Sequence, residues 1–567
     1  PAQYGGRLSS VLDITMKEGN NKHWELEGGI GAISSRITVQ GPLQKNKSSF
    51  IVSARRTYVF DLVKPIIDTT SFAGTNYFFY DLNAKANYIL SDVDRVYLSG
   101  YFGRDRLTYK SADRGFAIDI PYGNTTGTLR WNHLINDQLF MNISAVYNDY
   151  NFKFLGEQDA FLFELFSGIK DWNVKVDFDY SPNVNHTVKF GTSYTHHTFT
   201  PTSATGQAGD VEFESKDLRK YAHEAAIFFE DDMVINDNVK INAGLRVPFF
   251  QQIGPYDRIL YNELQTPYDT IKYIKNKSVK TYTGIEPRIN FRYSINPNSS
   301  IKGGFSINNQ FIHLVTGTAS TLPTDLWVPS TINVKPQIGI QYALGFFKNL
   351  KDNMFESSIE VYYKKMYNQI EYKDGAVPEL NYDIEERFTF GKGEAYGAEF
   401  FLRKNKGKLT GWIGYTLANT TRFFADLNNG RSFPASYDRT HDISVVGMYN
   451  LNARWELSSS FIYYTGRAFT LPTGRYFVNN WFATEYTDRN AYRLIPYHRI
   501  DIGITWKSNP SKRFKHSITL AAYNAYNRKN QDFIYFDTDI DNGTFSIKAY
   551  QVSIFPIIPS ITWNFKI

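Results

Sequence analysis

Ten histidines, 56 Asp and Glu and no cysteine are the residues with which this 567-residue chain could do acid–base, nucleophilic or metal chemistry. Thiolate ligands, thiol nucleophiles and disulfides are excluded at once. Metal binding by imidazole wants ligands at fixed spacing, such as two His four apart on a helix or on alternate positions of one strand face. His196 and His197 are adjacent instead, and adjacent strand residues point to opposite faces. His441 and His498 stand singly at the starts of β-type runs. Ser34, Ser35, Asp442 beside His441, and Glu286 offer hydroxyls, acids and bases. No Gly-x-Ser-x-Gly phrase supplies a nucleophile elbow. These residues argue against an enzyme and imply no catalytic residue, metal ligand or cofactor.

What remains is recognition. Arg55, Glu286, Arg288, Arg292, Arg499 and Asp501 fall on the polar side of alternating runs. Such residues either pair with one another along a hydrated wall or bind an anionic ligand through the two-pronged guanidinium. Trp327, Tyr476, Phe477, Trp481, Phe482, Tyr486 and Tyr492 sit in long polar segments. Rigid rings there give contact area to a sugar, peptide or chelate, or pack against one another. Arg55, Arg288, Arg292, Arg499, Trp327 and Trp481 are therefore the candidate substrate-binding residues. A formal net charge of +6 favours anionic ligands only mildly. No basic run or stacked aromatic array points to nucleic acid.

The elements that must position these side chains are strands. Ile500, Ile502, Ile504 and Trp506 alternate with Arg499, Asp501, Gly503 and Thr505. The same period of two runs through 239–247, 285–293 and 560–567, the signal of a strand with one polar and one apolar face. Aromatics reach 16%, mean hydropathy is negative, and no apolar run approaches the ~18 residues of a spanning helix. A transmembrane barrel reconciles these facts, because lipid-facing and lumen-facing residues alternate and aromatics collect at two interfaces. Tight Asn/Asp/Pro/Gly turns at 44–47, 91–94, 136–137, 181–185, 236–238, 296–299, 351–353, 405–408, 452–454 and 509–513 reverse the chain sharply. Between them come long segments near 61–76, 108–123, 153–168, 200–219, 252–281, 313–336, 373–387, 424–438, 469–493 and 531–547, with 33–35 the one short exception. Segregated loop lengths predict an all-β, antiparallel transmembrane β-barrel of about 22 strands, with short periplasmic turns and long extracellular loops. The first and last strands, near 22–33 and 549–567, should pair. Barrels of that width carry a plug in the lumen.

The opening phrase "YGGRLSSVLDIT" (4–15) resembles the closing strand of the plug domain in TonB-dependent outer-membrane transporters. "SSRITVQGPL" (34–43), "SFIVSARRTY" (49–58), "IEPRINFRY" (285–293), "GKGEAYGAEFFLRKNKGKLTGWIGYTLA" (391–418), "FPASYDRTHDISVV" (433–446), "IPYHRIDIGITW" (495–506) and "YNAYNRKN" (523–530) resemble that family's barrel, in particular its Bacteroidota branch. Each phrase is short and unspecific; their order along the whole chain carries the resemblance. Two departures are Lys335-Pro-Gln337, where many relatives have Pro-Glu, and a terminal Ile567 in place of an aromatic.

The resemblance implies two domains: 1–20 as the C-terminal remnant of a plug, and 21–567 as the barrel in the cell outer membrane. It implies an active importer or receptor for a scarce or bulky nutrient, of the siderophore, cobalamin, glycan or peptide class. Its partners would be an inner-membrane TonB-type energy transducer reached through a plug body upstream of Pro1, the lipid bilayer with its lipopolysaccharide, and a surface lipoprotein or other outer-membrane subunits. The alternative is a non-transporting scaffold or accessory barrel within a multi-protein outer-membrane assembly.

Overall fold

A computed structural model of the chain describes residues 1–68, 73–111, 115–159, 161–209, 211–215, 218–262, 266–315, 326–374, 384–478, 481–509, 514–531, 533–541, 544–553 and 555–567. The wall begins with β1 (Glu25–Gly31), β2 (Ser34–Gln44), β3 (Ser48–Thr57) and β4 (Thr75–Ile89). Five long strands follow: β5 (Asp94–Ser111), β6 (Phe116–Asn136), β7 (Leu139–Gln158), β8 (Phe161–Asn183) and β9 (His186–Ala208). Next come β10 (Lys220–Val234), β11 (Val239–Ile253), β12 (Glu286–Asn296), β13 (Ser299–Gln310) and β14 (Gln337–Leu350). β15 (Phe355–Tyr372), β16 (Phe388–Lys404), β17 (Leu409–Phe423) and β18 (His441–Asn450) continue the wall. It ends with β19 (Trp455–Tyr464), β20 (Tyr497–Lys507), β21 (Lys515–Tyr523) and β22 (Ile558–Lys566). Each strand pairs antiparallel with its chain neighbour, and β22 returns to β1 with Trp563 opposite Ile30, so 22 strands close one sheet.

The polar turns work through their asparagines. At Asn136, Asn183, Asn236, Asn296 and Asn452 the side-chain oxygen accepts the backbone N–H two residues on, each at 2.9 Å. That local bond mimics a backbone turn and fixes where the strand stops. The short turns read from sequence at 44–47 through 452–454 join consecutive wall strands at the same end of the barrel, and of the last, at 509–513, residues 510–513 lie outside the described residues.

Alternation sorts the two faces. Leu98, Trp172, Ile227 and Ile561 are all more than half exposed, as side chains are when lipid is their solvent. Ile502 and Trp563 lie on this face, whereas Arg499 and Asp501 turn inward and pair at 2.9 Å. No helix among the described residues is long and apolar enough to cross a membrane; a short α-helix, α1 (Val59–Ile67), lies in the connection between β3 and β4.

Three expectations need correction. The segments 108–123 and 153–168 are not long loops: β5 to β8 run through them and leave only short connections. Apolar residues continue to alternate there, at Leu107, Tyr109, Ile118 and Ile120, so pairing continues past the bilayer. Residues 544–552 belong to a separate hairpin with Phe533–Asp541, so the last wall strand starts at Ile558 rather than near 549. The first wall strand starts at Glu25.

Candidate functional site

Residues 1–18 run through the lumen and touch opposite sides of the wall. Lys85 on β4 donates to the carbonyl of Met16 at 3.0 Å. Across the lumen, the N–H of Ala2 donates to Glu230, Arg288 donates to the carbonyls of Pro1 and Tyr4, and Lys364 donates to the carbonyl of Leu8. Gln310 accepts the Leu8 N–H at 3.2 Å. Two glycines permit the closeness: a Cβ on Gly5 would sit 2.3 Å from Arg246 Nε, and one on Gly19 would sit 2.0 Å from the carbonyl oxygen of Phe50. Backbone carbonyls held by buried cations need no sequence-specific side chain on the segment itself; the wall supplies the charge.

Around this anchor the wall carries a buried polar network. His197 reaches Asp171 at 2.7 Å and Glu224 at 3.3 Å. Glu286 accepts from Arg288 at 2.8 Å and from the Asn309 backbone at 2.8 Å. None of these groups is adjacent in sequence, and burial without partners would cost each several kcal/mol.

Above the anchor, connections between wall strands fold inward. Ile312–Val315 pairs with Leu326–Pro329, and this hairpin packs on Phe199, Phe250 and Phe311. His313 is buried, with Nε2 3.0 Å from Ser330 Oγ. Desolvation, reinforced by the Arg7 charge, pushes its pKa down to about 3, so the ring is neutral. Lys220 at the start of β10 meets Glu385 at 2.5 Å with both side chains buried, and Glu385 also accepts from Thr331 Oγ1 at 2.7 Å. Further round the mouth, Glu371 binds both Arg422 and Arg489, and Arg489 reaches Asp374 at 2.9 Å.

The candidate residues do not converge on one point. Arg55, at the outer end of β3, forms a 2.7 Å pair with Asp81 and lies over the Phe79 ring. Arg499, at the outer end of β20, bonds Asp501, Tyr497 and Tyr523. Arg288 grips the lumenal segment, and Arg292 on the same strand lies nearer the short-turn end. Trp327 lies on the inward hairpin with the Arg7 guanidinium 6.0 Å from its ring. The backbone of Trp481 is in a hairpin with Pro472–Val478; its side chain lies outside the described residues. Sequence reading missed Lys220, Glu224, Glu230, Arg246, Lys364 and Glu385. Arg246 sits on a polar face read from the sequence and Glu385 in a long segment; Lys220, Glu224, Glu230 and Lys364 lie in strands outside the alternating runs, and nothing local distinguishes any of the six from other wall polarity.

A family profile described as "TonB dependent receptor-like, beta-barrel" matches residues 58–527. The chain belongs to that family. As a TonB-dependent receptor-like barrel it is an outer-membrane, multi-pass protein; barrels of this class turn tightly on the periplasmic side. The fold is similar to the ferric-catecholate import receptor Fiu from K12 E. coli in its closed form (TM-score 0.63, 13% identity, 97% of this chain and 82% of that one). It is similar to the siderophore receptor PiuA from Acinetobacter baumannii (0.64, 13%, 97% and 82%) and to the copper transporter OprC (0.66, 11%, 97% and 81%). No curated protein matches the chain. Among the described residues of this family member no group of three or more His, Asp or Glu could hold a metal ion, and no constellation with catalytic geometry accompanies the wall.

Proposed function

We propose that this chain forms the barrel of an energised outer-membrane importer, with residues 1–20 as the end of its plug domain. The observation that carries the reading is the lumenal anchor. Six wall side chains from β4, β10, β11, β12, β13 and β15 reach residues 1–16, the arrangement a domain inside the barrel needs at its point of attachment. Remodelling of that domain by an inner-membrane TonB-type transducer would open a path past the inward-folded hairpin. Arg55, Arg499, Trp327 and Trp481 are the substrate contacts at the outer mouth, while Arg288 acts through the anchor. The order of the family phrases supports a Bacteroidota-type receptor, in which a surface lipoprotein or another outer-membrane subunit would cover the mouth.

Uptake decides the matter. Cells expressing the protein, with and without a functional transducer, are offered labelled ferric siderophores, cobalamin, oligosaccharides and peptides. Chelates come first because similar folds carry names of that kind. Transducer-dependent accumulation of one class is the expected result. Accumulation of none, with stable co-purification of outer-membrane subunits, would establish the scaffold reading instead.

A further inference from the structure

We propose that Lys240, Arg292 and Lys302 form an oxyanion site on the lumen wall, for a solute bearing two or more phosphate or carboxylate groups. The three stand side by side on β11, β12 and β13: Lys240 is directly opposite Arg292, and Arg292 directly opposite Lys302. With strands about 4.8 Å apart, all three cations fall within about 10 Å. Like charges directly opposite one another destabilise a sheet. The neighbouring lumen cations are neutralised, Lys175 by Asp177 at 2.8 Å and Lys189 by Asp179 at 3.6 Å. Lys240, Arg292 and Lys302 have no carboxylate within 4.0 Å among the described residues. The nearby Asp232 accepts instead from the Asn242 amide at 2.7 Å, and the Lys302 ammonium rests 4.0 Å from the Phe347 ring centroid.

The row borders a cavity of about 690 Å³ on the wall, whose lining also includes Asp232 and Glu360; the side chains of Glu360 and Phe347 lie over Gly345, opposite Lys302. Beyond that glycine the carboxylates of Glu360 and Glu399 continue the same row, so charge along it is segregated by sign rather than alternated. Arg292 in the middle presents its fork to one oxyanion, and the flanking ammoniums reach a second group on the same molecule. The inference rests on the importer reading only in taking the lumen as a solute path. Binding is read at equilibrium on purified protein, so a failure of transport would not register as a failure of the site.

The probe is inorganic pyrophosphate, titrated calorimetrically into the detergent-purified protein. Saturable binding is expected, weakened about tenfold or more in the triple variant Lys240→Gln/Arg292→Gln/Lys302→Gln and unchanged in Lys189→Gln. Heat-modifiable migration verifies that each variant is folded. Should the triple variant fail that check, the single variants Lys240→Gln and Lys302→Gln, each expected to weaken binding about threefold, carry the test. Equal binding by folded variants overturns the proposal. So does the absence of saturable binding in the parent, the result for a row reserved for acidic side chains of a lumenal domain.

Discussion

His313 shows how one side chain takes its chemistry from packing. An imidazole with its pKa near 3 in the folded protein, against roughly 6.5 when unfolded, holds fewer protons folded than unfolded between those values. Its contribution to stability is complete above about pH 6.5 and drains away as pH falls towards 3. We expect the ring resonances of His313 to stay those of the neutral form at pH 5; a midpoint near 6.5 would mean the hairpin does not bury it. Sequence offers His313 as an ordinary loop histidine, because its burial comes from residues far along the chain. Arg288 and its neighbour Glu286 are legible as inward charges, but the other ligands of Arg288 are not. They are backbone carbonyls some 280 residues away, and a carbonyl leaves no mark in the sequence.

At the scale of strands and connections, the alternation in β20 and the asparagine turns were read correctly because both are local. Register makes that reading exacting, since Ile502 faces lipid and Gly503 the lumen beside Ser458. Ile502→Arg should impair assembly by roughly 2–4 kcal/mol if near the midplane, and Gly503→Arg by less. Heat-modifiable folding in outer-membrane fractions compares them, and equal tolerance would refute the register. Loops are less legible: the ends of β5 to β8 read as connections in the sequence because polar residues on their outward faces resemble loop composition. The Lys220–Glu385 pair spans 165 residues and had no local signal. Glu385→Gln removes the carboxylate that meets the buried Lys220 ammonium, at a cost of roughly 3–5 kcal/mol, and Lys220→Met/Glu385→Leu should restore much of it. Hydrogen exchange at 326–334 and 384–388 should quicken in the first variant and slow again in the second.

For the whole barrel, sidedness is the consequence open to the cleanest test, since a chain without cysteine accepts single reporter thiols. A cysteine at Arg431 or Asp488 should react with a membrane-impermeant maleimide on intact cells, and one at Lys406 should not. Labelling in the reverse pattern would invert the orientation. Closure and strand number follow from turn spacing, while the contacts that hold residues 1–16 in the lumen do not, because they join that segment to opposite walls.

The unequal height of the wall has a mechanical consequence. β5 to β9 are 18 to 23 residues long, whereas β18 to β22 are 9 to 11. On the tall side the rim is the membrane sheet itself continued outward, so bending it means shearing a ladder of hydrogen bonds across several strands. On the low side the rim is made of hairpins such as Pro472–Val478 with Trp481–Tyr486 and Phe533–Asp541 with Thr544–Val552, each a two-stranded sheet separate from the wall. Two-stranded units of that kind have little stiffness of their own. The mouth is therefore built like a jaw with one fixed side: widening it would displace the separate hairpins and leave the tall side in place.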